Sequence, residues 1–176
     1  MNKRLTHLKW ILVDQIVDLT TATCAIRDHI AIMNSESAPS PQWSICYFRM
    51  CSTSLIISLS KLWEALNHYG KEINNFPTEL RASCISLKQE IEKRKIYQFR
   101  SKYAAHIIDD ETKEPLSLTE GDKRYKEIVG EEVSDLLKFC EWICPQSEPT
   151  NSSVVAVVTQ ARDHCLSIVG HCSERP

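Results

Sequence analysis

Leu5, Leu8, Leu12, Ile16, Leu19, Thr23, Ile26, Ile30 and Met33 recur at steps of three or four, the interval that gathers side chains on one stripe of an α-helix. A first helix is expected to run to about Asn34. Ser35 to Gln42 then holds two prolines and several polar turn-formers, enough to stop that helix and reverse the chain. Phe48, Cys51, Leu55, Leu59, Leu62 and Leu66 restore the period and predict a second helix from Trp43 to Tyr69, with Gly70 as its C-terminal stop. Pro77 and Thr78 open a third helical stretch, in which Leu80, Cys84, Leu87 and Ile91 face inward and which carries on through the residues near 100. A fourth helix is expected over Glu120 to Cys144, with Tyr125, Ile128, Val133, Leu136, Leu137 and Cys140 inward. A fifth is carried by Val154, Val158, Ala161, Cys165, Ile168 and Cys172. The run Val154-Val-Ala-Val-Val158 suits a strand by propensity, but the three-four spacing continues past it and no partner strand is evident.

The pattern predicts an all-α fold, an antiparallel bundle of about five helices over residues 1–176. At 176 residues and 43% hydrophobic content the chain can bury one sizeable core, so a single domain is expected. Between Arg49 and Lys61 the longest uncharged apolar-leaning stretch has 11 residues, four of them serine, far short of the roughly 20 that span a bilayer. The opening stretch is interrupted by His7, Lys9 and Asp14 and lacks a small-residue cleavage site, so no secretory signal is expected and the chain is placed in the cytoplasm, away from membranes.

A net charge of −2 argues against a protein that coats nucleic acid by charge alone. Any polyanion site has to be local. From Lys88 to Lys102 six basic residues stand against Glu90 and Glu92, a net +4 in a chain that is otherwise −6. The eight cysteines fall mostly on apolar helical faces, which suits reduced thiols acting as small hydrophobes. Cys140 and Cys144 share a helix face and His164, Cys165, His171 and Cys172 could add ligands, yet there is no tight CxxC pair and no metal site is assigned. Phosphate-loop, dinucleotide, HExxH and GxSxG motifs are absent. Adjacent acids such as Glu131 and Glu132, or Asp109 and Asp110, point in different directions on a helix and suit a solvated surface.

The run Ile96-Tyr-Gln-Phe-Arg100-Ser-Lys-Tyr-Ala-Ala-His106 is different, because it sets aromatics, two cations and a histidine within a few helical turns. Arg100, five intervening residues and His106 resemble the Arg-x(4-6)-His motif of HEPN domains. Lys102 with Ala105-His106, the acidic turn and Glu114-Pro-Leu-Ser-Leu118 are most similar to the abortive-infection branch. The resemblance implies a helical bundle that cuts RNA without metal or other cofactor, in a defence or toxin-like setting, with an antitoxin or other protein as a further partner. In that reading the ribose 2′-OH attacks the adjacent phosphate and leaves a cyclic phosphate end. His106 acts as general acid or base near neutral pH, and Arg100 stabilises charge on the phosphorus centre. Ser101, Lys102 and Tyr103 are the expected substrate contacts: a polar group beside the phosphate, a phosphate contact and a stacking surface for a base. Ser101 departs from the Asn, Asp or His that often follows the motif arginine in active members.

On a regular α-helix a six-residue step leaves Arg100 and His106 about 120° apart and roughly 9 Å apart along the axis. One copy of the motif therefore makes an awkward site. Two motif helices meeting across a twofold axis would supply each histidine with its partner's arginine, and a homodimer is expected. A non-catalytic helical module that binds RNA or a protein through the same groove is the alternative. The Lys93-Arg94-Lys95 run is expected to be a solvated face and Ile96 and Phe99 core.

Overall fold

The computed structural model describes residues 2–36, 38–101, 114, 117–146, 152–170 and 175, and these form an all-α bundle with no strand among them. Eight helices are described: α1 (Asn2–Met33), α2 (Pro41–His68), α3 (Gly70–Ile73), α4 (Thr78–Lys93), α5 (Ile96–Phe99), α6 (Leu118–Val129), α7 (Val133–Ile143) and α8 (Val154–Val169). α1 packs chiefly against α8 and α2, and α4 lies against both of those. α5 sits among α2, α4 and α6, while α7 reaches α1, α6 and α8.

The helix starts follow from capping chemistry. Ser40 Oγ accepts from Trp43 N at 3.4 Å, and Pro41, which has no N–H to lose, takes the first helical position of α2. α6 and α8 begin in the same way, with Ser117 Oγ accepting from Glu120 N and Ser153 Oγ from Ala156 N, each at 3.3 Å. That cap, followed by a face of Val154, Val158, Ala161 and Cys165 that is fully buried, explains why the valine-rich run is helical rather than extended.

The core matches the inward stripes. Leu8, Leu12, Leu19 and Ile26 of α1 meet Leu55, Ile56, Leu59 and Leu62 of α2, and Ile91, Ile96, Ile143 and Val154 join the same cluster, all essentially without exposure. Each buried aliphatic side chain contributes about 1.5–3 kcal/mol relative to leaving it in water. Met33, Val133 and Ile168 depart from the expected stripe and are 40%, 50% and 46% exposed. All three lie at the last or first turn of a helix.

Three expected boundaries are corrected. The third helix does not continue through residue 100, because Lys95 adopts a left-handed conformation (φ 57°, ψ 27°) and α5 starts anew at Ile96. Ile96 becomes fully buried, so burial outweighs the cost of about 1–2 kcal/mol for a non-glycine residue in that region. The expected fourth helix is two, α6 and α7, divided at Gly130 (φ 103°, ψ 174°), a conformation open almost only to glycine. Glu132 and Asp135 then close a reciprocal capping box that restarts the chain as α7. Finally, Gly70 is not the left-handed stop of α2: Tyr69 caps that helix through its N–H to Ala65 O at 2.9 Å, and Gly70 opens α3.

Of the seven described cysteines, Cys51, Cys84, Cys140 and Cys165 are buried, whereas Cys24 and Cys46 are exposed rather than on apolar faces; Cys172 lies outside the described residues. Burial pushes the Cys84 and Cys140 thiols up to about 11 and Cys165 to about 12, which keeps them protonated and unreactive at neutral pH. No helix among the described residues is long and apolar enough to cross a membrane.

Gly130→Ala tests the α6–α7 division. A Cβ at that position would overlap the Asp135 side chain, so the substitution should cost about 1–3 kcal/mol from backbone strain, with a further loss from the capping box. Urea unfolding at unchanged slope, with a lowered midpoint, is the expected result.

Candidate functional site

The basic stretch that stands out in the sequence becomes the end of α4, the left-handed turn and α5, and the structure gives its cations unequal roles. Lys88 Nζ donates to Asn67 Oδ1 at 2.9 Å and lies 3.8 Å from Glu92 Oε1, on the side of α4 facing α2. Arg94 is a fastening rather than a solvated residue. Its guanidinium lies 4.4 Å from the ring centre of Trp142 and 5.7 Å from that of Phe139. It also donates to Glu90 Oε1 at 2.8 Å and Ile128 O at 3.4 Å. Cation–π contacts of this kind are worth about 0.5–2 kcal/mol, and here they tie α4 to α6 and α7 at the point where the chain turns. Lys93 and Lys95 are exposed, as expected of a solvated face, and neither enters an ion pair among the described residues.

Beside this turn opens a cavity of about 440 Å³ between the α4–α5 junction and α6. Lys93, Arg94, Lys95 and Arg124 line it with a single carboxylate, Glu127. Arg124 is held by Glu120 Oε1 at 2.8 Å and Glu127 Oε2 at 2.9 Å. The hydrogen bond from Arg124 holds the Glu127 carboxyl below its ordinary range, and the Lys95 charge acts in the same direction. Glu90 and Glu120 already pair with Arg94 and Arg124, so the positive charge that favours an anion at the mouth of the cavity rests on the exposed Lys93 and Lys95.

α5 carries the polypeptide from this cavity to the motif. Ile96 is fully buried, and Phe99 packs against the core with its ring centre 6.4 Å from Tyr125. Tyr125 Oη in turn donates to Ser52 Oγ at 2.7 Å, fixing α6 to α2 on the far side of α5. Tyr97 packs against Trp63 with ring centres 4.6 Å apart and planes tilted by 37°, and the Trp63 indole donates to Glu92 Oε1 at 2.8 Å. The short helix is thus held by α2, α4 and α6, although its own four residues could not sustain it.

Arg100 and Ser101 follow, in a wider π-type turn. The Arg100 Nη1 lies 3.5 Å from Glu64 Oε1 of α2, with side-chain exposures of 35% and 43%. Arg100 therefore turns toward α2, whereas Gln98, two residues earlier, lines the cavity. The Ser101 hydroxyl donates to Gln98 O at 3.2 Å, a local turn contact. Lys102, Tyr103 and His106 lie outside the described residues, as do Asp109, Asp110 and Glu111. The 120° separation of Arg100 and His106 assumed regular α-helical winding, and the described start of the run is wound more loosely than that.

Sequence reasoning missed Glu64 and Arg124. Arg124 stands at helical spacing from Glu120 and Glu127, a readable local signal. Glu64 meets Arg100 across 36 positions, and only the packing register of α2 against α5 brings them together. Among the described residues no group of three or more His, Cys, Asp and Glu side chains converges as a metal site would require.

No protein-family profile matches the chain, and no curated protein matches it in sequence. In structure it is similar to an integron cassette protein from the mobile metagenome of V. paracholerae, Vpc_cass2, with a TM-score of 0.72 and 24% identity over 94% of this chain and 97% of that one. The likeness is one of fold.

A half-exposed ion pair such as Arg100–Glu64 contributes about 0–1 kcal/mol, so an incoming phosphate can displace the carboxylate. Glu64→Gln should therefore tighten binding of a short single-stranded oligonucleotide about two- to fivefold, measured by fluorescence polarisation at low salt. An unchanged affinity would mean that Arg100 takes no part in anion binding.

Proposed function

We propose that the chain is a metal-independent endoribonuclease of HEPN type, working without a cofactor as a cytoplasmic homodimer in a defence or toxin-like system. The observation that supports this reading best is the cavity at the α4–α5 junction with the exposed Lys93 and Lys95 on its lining, a few residues before Arg100, whose guanidinium faces α2 and is held only by a weak, displaceable carboxylate.

In this mechanism the RNA backbone lies along the α4–α5 junction, with Lys93 and Lys95 neutralising phosphates upstream of the scissile bond. Arg100 exchanges Glu64 for the scissile phosphate and offers its planar fork of donors to the non-bridging oxygens. His106 takes the proton of the 2′-OH as that oxygen attacks phosphorus. The P–O5′ bond breaks, the leaving oxygen takes up a proton, and a 2′,3′-cyclic phosphate remains. DNA lacks the attacking hydroxyl and is not cut. Lys102 and Tyr103 add a phosphate contact and a stacking surface, and the second protomer supplies the opposing Arg100 and His106.

A second reading is a helical module that binds RNA, or a protein partner such as an antitoxin, without cutting. The Ser101 hydroxyl engaged on Gln98 O and the Arg100–Glu64 pair favour it, since both polar groups already have partners within the chain.

The purified protein should cut single-stranded RNA or tRNA in EDTA, and His106→Ala should lower the rate by about 10²- to 10⁴-fold while leaving binding intact. Metal-dependent cleavage that survives the substitution would sink the catalytic assignment. RNA binding that persists in His106→Ala, weakens in Arg100→Glu and is never accompanied by cleavage would establish the second reading.

A further inference from the structure

A second cavity, of about 420 Å³, lies where the end of α1 meets the start of α2, and it shares no lining residue with the basic one. Its wall is aromatic. The rings of His29, Trp43 and Tyr47 lie within 4.4 to 5.2 Å of one another, and Phe48 meets His29 edge-on at 4.9 Å. Trp43 remains 53% exposed, an unusual state for a tryptophan that lines a concavity. Ile32, 47% exposed, adds apolar surface across from it.

The charge of this cavity is opposite to that of the first. Asp28 is its one charged lining residue; it is exposed and makes no ion pair or hydrogen bond among the described residues. No lysine or arginine lines the space. The helix ends nearby do not change this balance, because α1 contributes a negative C-terminus and α2 a positive N-terminus. The first-turn donor Trp43 N is already taken by Ser40 Oγ. His29, 2% exposed, closes the inner wall of the cavity.

We infer that this cavity binds an arylalkyl ammonium ion. Ring faces attract a cation through their quadrupoles, Asp28 provides the counter-charge, and the apolar wall takes the aryl group. An anion is disfavoured by Asp28 with no cation among the lining residues to offset it, and a neutral aryl ligand would leave that carboxylate uncompensated.

Titration calorimetry with phenethylammonium and with 2-phenylethanol, which replaces the ammonium by a hydroxyl, tests the assignment on the unaltered chain. The ammonium ion should bind about tenfold or more tightly than the alcohol. Asp28→Asn should abolish that preference, and Trp43→Leu should weaken both ligands. Both side chains are well exposed, so the bundle should retain its thermal midpoint in each variant. Equal affinity for the two ligands, an ammonium preference that survives Asp28→Asn, or no binding at millimolar concentration would overturn the inference.

Discussion

The apolar stripe of α1, buried between α2 and α8, is the constraint on which the other placements depend. Leu8, Leu12, Leu19 and Ile26 are at most 1% exposed, and their burial fixes two long helices relative to one spine. α4 then lies against both α2 and α8, which leaves little freedom in where its C-terminus arrives. The turn at Lys95, the cavity beside it and the direction in which α5 leads toward Arg100 all inherit that position. Removing one of these leucines would cost about 2–5 kcal/mol through lost burial and the void it leaves, and the loss would be felt at a site the residue never touches.

At the turn itself, packing and electrostatics act together. Arg94 lies against Trp142 and Phe139 and reaches the Ile128 carbonyl, so a cation inside a basic run holds three helices in register. Its neighbours Lys93 and Lys95 remain exposed because that register turns them to solvent. The surface ion pairs elsewhere are of less consequence. Arg4 with Glu72, and Lys126 with Asp122, have at least one well-exposed member and trim the surface more than they hold it.

Helix existence and core membership were legible in the sequence because both rest on a local repeat: the inward stripes of α1, α2, α4 and α8 are largely the ones observed. Boundaries were less so, for two different physical reasons. Gly130 was visible as a glycine, but the apolar period on either side of it continues across the break and masks it. Lys95 carries no such sign, since lysine is ordinarily a good helix former and its left-handed conformation is imposed by the burial of Ile96. At the site, Ile96 and Phe99 could be assigned to the core from their spacing, whereas the Glu64 partner of Arg100 could not, because the contact depends on how two helices slide past each other. Lys102, Tyr103 and His106 stand as sequence readings only.

The clamping of Arg94 also bears on how the surface counts charge. Six basic residues between positions 88 and 102 would suggest that a bound single strand releases about four counterions, at roughly 0.7 per neutralised phosphate. Lys88 and Arg94 are already neutralised by carboxylates of their own helix, and a cation that is neutralised before the strand arrives releases nothing when it does. Arg100 is engaged by Glu64 in the same way, so for the described part of the stretch the release falls to Lys93 and Lys95, or about one ion per chain. The fold thereby converts a strongly basic segment into a surface whose grip on a polyanion should fade only gradually as ionic strength rises.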